Sequence, residues 1–175
     1  MNLIRQSADV LLAPGPICAL GPEHVTLIKA AAMQSPKGRA RINAHPSADD
    51  ALHEMLIAIR PESYIRPHKH PGKSEAFHII EGAVDIVVLD DLGEICEVVP
   101  LAKDGSGAFY YRMSRPRFHT LLIKSDILVV HEITNGPFVP GATVFAPFAP
   151  EEGTIAAVHY ISELDRRVRA ATGAR

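Results

Sequence analysis

The chain has 175 residues, 47% hydrophobic and 22% charged, with a formal net charge of −2. Such a composition describes one ordinary globular domain with enough chain to bury a core, and gives no electrostatic reason to expect nucleic acid as a partner. No apolar run approaches bilayer-spanning length, and two cysteines, Cys18 and Cys96, make no disulfide framework.

In chain order, the first twenty residues read as an arm or edge strand, with Asp9 to Leu12 the only extended candidate. Pro14 and Pro16 break this stretch and it has no sustained signal-peptide core, so the expectation is a cytoplasmic protein with reduced, partly buried thiols. Pro22 suits a first helical turn, Glu23 favours the helix dipole there, and Val25, Ile28 and Ala32 recur at helical spacing before Pro36 and Gly38. A helix over 22–34 is predicted, placed to cap one end of a barrel. Arg39 to Asn43 then alternates as a strand. Leu52 to Arg60 is ambiguous, since Ser47 and Asp50 imitate a capping box while Met55 to Ile59 is a short apolar run. The strand reading is preferred because this run directly precedes a His-rich strand with which it could pair. Further short strands are expected over 76–80, 84–89, 95–99, 107–112, 118–124 and 127–133, with turns at Gly82, Asp90 to Gly93 and Lys103 to Gly107. Many short strands at this spacing point to an antiparallel sandwich or barrel. After Asn135-Gly136-Pro137 the chain becomes irregular, and from about residue 154 it reads as a strand or short helix ending in a basic tail.

Chemistry concentrates in His68, His70, Glu75 and His119. In a strand, residues two apart share a face, so His68 and His70 project together. After the turn at Pro71 and Gly72, the odd-numbered Glu75, Phe77 and Ile79 share one face. Two imidazoles and a carboxylate suit a divalent first-row metal, and His119, on another apolar run, is the candidate for a third imidazole. The alternative is a metal-free barrel that keeps these side chains as ordinary polar residues, since nine histidines make His-X-His coincidences easier.

With His68, His70, Glu75 and Gly82 in these positions, the chain resembles the cupin superfamily. Gly107, Pro116 and His119 stand for most of that superfamily's second motif, although Glu62 falls where the first motif usually opens with Gly, and Arg115 and Arg117 flank the place of another Gly. Within the superfamily, Arg39 to His45, Lys73 with Glu75, Phe109 to Met113 and His131 to Phe138 look like the WbuC family of cupin-fold metalloproteins. The resemblance implies a mainly β, single-domain, jelly-roll-like antiparallel barrel with an N-terminal helix and a short C-terminal extension. The divisions are an arm and helix over 1–38, a barrel over 39–160 and a tail over 161–175. It also implies one divalent ion (Fe, Mn, Zn or Ni) on His68, His70, Glu75 and His119, a homodimer, and an association with bacterial surface polysaccharide synthesis. It implies no particular reaction.

Other pocket candidates follow from alternation. Glu132 shares a face with Leu128 and Val130, so it is either a buried carboxylate with a task or an acid at the strand's open end. Arg39, Arg41 and Asn43 share one face, as a polar pocket wall that clamps an anion or as a solvated sheet face. Of Tyr110 and Tyr111 one must face inward; Tyr110 is assigned with Glu132 to catalysis, and Tyr111 and Lys69 to substrate binding. Arg112, Arg115 and Arg117 form a looser basic set. His45, His53 and His78 are read as structural, with His78 out of phase with Glu75.

Two function classes remain. One is a metalloenzyme acting on a small carbohydrate-derived or anionic molecule by isomerase, epimerase or lyase chemistry, or as an iron-dependent oxygenase. The other is a non-catalytic sugar- or anion-binding or regulatory module.

Overall fold

Alternation of apolar side chains on both faces of the central strands builds the architecture. The computed structural model describes residues 2–173, which form β1 (Ile4–Arg5), β2 (Val10–Leu12), α1 (Pro22–Gln34), β3 (Arg39–Asn43), β4 (Leu52–Ile59), β5 (His68–Lys69) and β6 (Glu75–Glu81). They continue as β7 (Ala83–Leu89), β8 (Ile95–Ala102), β9 (Tyr110–Met113), β10 (Phe118–Ile123), β11 (Leu128–Asn135), β12 (Val144–Phe145) and α2 (Ile155–Thr172). One sheet runs β1-β2-β3-β4-β11-β6-β9, the other β12-β5-β10-β7-β8.

The eight strands β4 to β11 pair as one nested antiparallel ribbon: β7 with β8, β6 with β9, β5 with β10, and β4 with β11. Wound across two facing sheets, this ribbon is a double-stranded β-helix, the jelly-roll arrangement of a cupin-type barrel. The turn from β6 to β7 needs Gly82, at φ +83, because a Cβ there would collide with Ser125 Oγ and the Ile127 carbonyl.

Inward residues Ile79, Val84, Ile86, Leu101, Leu128 and Val130 form the barrel core. The outer faces are covered by helices. On the larger sheet, Ile28 and Ala32 of α1 pack on Ala40, Ile42, Leu56, Ala58 and Val129. The helix starts as expected at Pro22, with the Gly21 N–H donating to His24 Nδ1 at 3.0 Å. It lies against a sheet face instead of capping a barrel end, because Ala40, Ile42, Leu56 and Ala58 present an apolar strip there that α1 covers.

At the C-terminus, where a strand or short helix is expected from about residue 154, the chain forms an 18-residue helix, α2, which continues through the expected tail so that the anticipated boundary at 160/161 falls inside it. Thr154 caps it by accepting from the Ala157 N–H at 3.2 Å, and Leu164 and Val168 pack on Val87, Leu89, Phe118 and Leu122. The charged residues from Asp165 to Arg169 flank the buried Val168: Lys124 pairs with Asp165, and Arg167 with Glu94. Among the described residues no helix is long and apolar enough to cross a membrane.

Candidate metal centre and cavity

Both sheets contribute to the site. His68 on β5 sits directly opposite His119 on β10, so their side chains share the inner face of the smaller sheet. Glu75 opens β6 in the facing sheet, in register with Thr134 and Met113. His70 follows β5, where the chain turns through Gly72 at φ +76. One donor atom from each of His68, His70, Glu75 and His119 lies within 4.8 Å of the others.

The imidazoles are set for metal ligation by what their other nitrogens do. His119 Nδ1 donates to the Arg117 carbonyl at 3.0 Å and His68 Nδ1 to the Arg66 carbonyl at 2.8 Å. His70 Nδ1 lies 3.3 Å from Thr143 Oγ1. A proton held on Nδ1 leaves the Nε2 lone pair free, the usual way a ligating histidine is oriented. His119 Nε2 is 2.9 Å, and His70 Nε2 3.6 Å, from Glu75 carboxylate oxygens. Glu75 Oε2 and His119 Nε2 are both buried, and apart from each other neither has a hydrogen-bond partner among the described residues. Two acceptor atoms facing each other in the interior require a shared proton or a cation between them. The donor set therefore fits a divalent ion.

The electrostatics agree. Burial pushes the His68 imidazole down to about 4, helped by its neighbour His119, which keeps it neutral. Burial also lowers His119, but the Glu75 hydrogen bond and charge overcome it, so the net direction is upward. Burial raises Glu75, but His119 and then the other imidazoles pull it below the usual carboxylate range.

The cluster lines a cavity of about 470 Å³ whose apolar walls include Ile57, Phe77, Leu121 and Val130. Glu132 and Arg41 face the same space. Glu132 on β11 is in phase with Leu128 and Val130, and burial followed by the Glu75 charge pushes its carboxyl up to about 8.

The remaining sequence candidates divide by strand phase. Arg39, Arg41 and Asn43 share the cavity-lining side of β3, Arg41 exposed and Asn43 buried, but Arg39 is neutralised by Glu152 at 2.8 Å. Lys69 alternates with His68 and His70, and so projects outside: its Nζ lies 4.1 Å over the Phe118 ring and 3.2 Å from Asp91. The substrate role assigned to Lys69 has no contact with the cavity. Tyr110 is likewise on the outer side of β9 and 47% exposed, whereas Tyr111 turns inward against Phe77, 6.2 Å between ring centroids. Burial, then the Glu75 charge, raises the Tyr111 hydroxyl. Of the two tyrosines, Tyr111 is the one facing the barrel interior, and the assignment of Tyr110 is corrected. His78 packs on Phe109, away from Glu75, as its phase requires.

Sequence reasoning missed Arg66, Thr143 and Phe145. Arg66 sits two residues before His68 and could have been found by extending the same alternation; its guanidinium lies 5.1 Å over the Phe145 ring. Thr143 and Phe145 lie in the proline-rich stretch, where no periodicity announces that β12 pairs with β5 beside His68.

A family model described as a domain of unknown function (DUF6016) matches residues 22–101, which hold three of the four candidate ligands but not His119. The curated proteins offer no match. Among solved structures, an oxalate oxidase in complex with the substrate analogue glycolate is 17% identical over 65% of this chain and 58% of its own, with a TM-score of 0.49. A protein with a double-stranded beta-helix domain from Klebsiella pneumoniae is 12% identical over 62% and 79%, with a TM-score of 0.47. A sugar phosphate isomerase from a cupin superfamily, from Silicibacter pomeroyi, is 18% identical over 62% and 64%, with a TM-score of 0.44. The chain thus spans less than two-thirds of the oxalate oxidase and of the isomerase. The assignment of the barrel rests on its own strand order.

Proposed function

We propose that this barrel is a divalent-metal enzyme that takes a small anionic, carbohydrate-derived molecule into its cavity and moves a proton on it. The observation that carries this reading is the convergence of three imidazoles and a carboxylate within 4.8 Å on the wall of a cavity that also contains Glu132 and Arg41. His68, His70, Glu75 and His119 would hold the ion. When bound, Fe, Mn, Zn or Ni would supply Lewis-acid polarisation of a carbonyl or hydroxyl at positions the protein leaves open.

The other tasks fall to this chain's own side chains. Glu132, whose carboxyl is raised to about 8 in the metal-free chain by burial and then by the Glu75 charge, is the candidate general acid, able to take the proton back in the reverse step. Arg41 offers an anion a guanidinium, and the walls formed by Phe77, Leu121 and Val130 keep water from the reacting atoms. This arrangement suits isomerisation, epimerisation or elimination. Kinship with the WbuC family, a homodimeric cytoplasmic protein and a role in bacterial surface polysaccharide synthesis extend the proposal; they are supported by the residue resemblance alone.

Cobalt(II) titration into chelator-stripped protein tests the reading. One ion per chain is expected, with a visible spectrum that is lost in His119→Ala and shifts on adding small carboxylates. A spectrum indifferent to every added anion would mark a closed, coordinatively saturated ion with a structural role, and would overturn the enzyme reading.

A further inference from the structure

The cavity does not end at the candidate ligands. Arg41, His70, Glu132 and Thr143 line both the 470 Å³ space and a second lobe of about 380 Å³ beyond it. The polar wall of that lobe includes Asn43, His45, His53 and Lys73.

Most of these groups are already engaged. His45 and His53 stack with centroids 4.0 Å apart, and each has a ring nitrogen on a backbone carbonyl, of Glu54 and Ala48 respectively. Lys73 Nζ donates to the Pro137 carbonyl at 2.8 Å. Two groups are not. Asn43 is only 8% exposed, and its Oδ1 is buried with no hydrogen-bond partner among the described residues. Arg41, unlike Arg39, makes no ion pair among the described residues, although its charge is felt by Glu132. An unpartnered buried amide and an unpaired guanidinium on one strand face are complementary to a ligand with a hydroxyl and an anionic group.

Arg41 lines both lobes and so stands at their junction. Its one guanidinium matches a single carboxylate charge for charge, through two parallel hydrogen bonds. We propose that the second lobe is a subsite for the hydroxylated part of a small sugar-acid monocarboxylate, with Arg41 holding the carboxylate at the junction and Asn43 bonding a hydroxyl beyond it. This inference rests on the reading of the cavity as a substrate site, and adds the substrate class.

The test is calorimetric titration of the metal-loaded full chain with D-gluconate, D-glucuronate, D-galacturonate and L-threonate. Sorbitol, propionate and glucose 6-phosphate serve as comparators lacking the charge, the hydroxyls and the single charge respectively. At least one sugar acid is expected to bind about tenfold or more tighter than all three comparators. Arg41→Gln should weaken it about tenfold or more, and Asn43→Ala should weaken it about tenfold while leaving propionate unchanged. Binding of none of the four acids, equal binding of a comparator, or wild-type affinity in both variants would overturn the subsite. The probe comparison needs no variant, so a misfolded variant does not remove the test. Metal content measured on the same samples separates the two readings. Full metal without sugar-acid binding overturns the subsite alone, and sugar-acid binding without metal uptake overturns the metal reading alone.

Discussion

The two ends of the barrel interior are made by the same strands and have opposite chemistry. Inward residues of β11 read Leu128 and Val130, then Glu132 and Thr134; those of β4 read Ile59 and Ile57, then Met55 and His53. At the apolar end each fully buried aliphatic side chain contributes roughly 1.5–3 kcal/mol through removal from water. At the polar end a carboxylate and three imidazoles are removed from water, which costs free energy unless a cation or proton partners them. Stability and site chemistry are therefore separable along the barrel axis, and substitutions at the two ends should behave differently.

The largest effect on stability is expected at the apolar end. Leu128→Ala should cost about 3–4 kcal/mol by cavity formation, read by urea denaturation, while the protein that remains folded keeps its full metal content. If metal is lost in proportion, the two ends are not separable. Leu164→Ala on α2 should cost about 2–4 kcal/mol in the same assay, because this side chain is buried against the outer face of the smaller sheet; a loss below about 1 kcal/mol would mean that the C-terminal helix adds little.

At the polar end the sensitive variable is pH. In the metal-free protein the Glu132 carboxyl is raised to about 8, above its unfolded value. Between the two values the folded state holds the extra proton, so this group's stabilising contribution is full at low pH and lost as pH rises through about 8. Glu132→Gln should remove that decline, which thermal melts from pH 5 to 9 would show as a flatter profile. His119 gives a second pH effect. Its pKa is raised in the metal-free protein, and an ion must displace that proton, so metal affinity should fall as pH drops through the raised value. Affinity independent of pH would argue that His119 is not a ligand. The smallest effect is assigned to Lys69→Ala, about 0.5–1 kcal/mol from the lost Phe118 contact, with no change in metal or sugar-acid binding.

Strand phase made much of this legible in advance. His68, His70 and Glu75 are separated by offsets that alternation places on one side, and Pro22 through Gln34 carries its own start and stop signals. Alternation also excludes His78 and allows only one inward tyrosine, but nothing in the sequence chooses the phase of β9, and the structure puts Tyr111, not Tyr110, inside. For Lys69, the phase of His68 and His70 on either side already points its side chain outside, where it meets Phe118 and Asp91. At the C-terminus the sequence admits a strand or a short helix from about residue 154; the charged residues from Asp165 to Arg169 hide the buried Val168 and with it the helix's full length. Long-range contacts were beyond reach: nothing local in Thr143 or Phe145 shows that β12 lies beside His68.

Metal analysis of protein purified without tag or chelator, beside the His70→Ala variant, is the most direct test of the central claim. The account predicts near one divalent ion per wild-type chain, its loss in the variant, and urea stability within about 1–2 kcal/mol of the metal-free wild type. A folded wild-type protein that holds no metal and takes up none of Fe, Mn, Ni or Zn would contradict it.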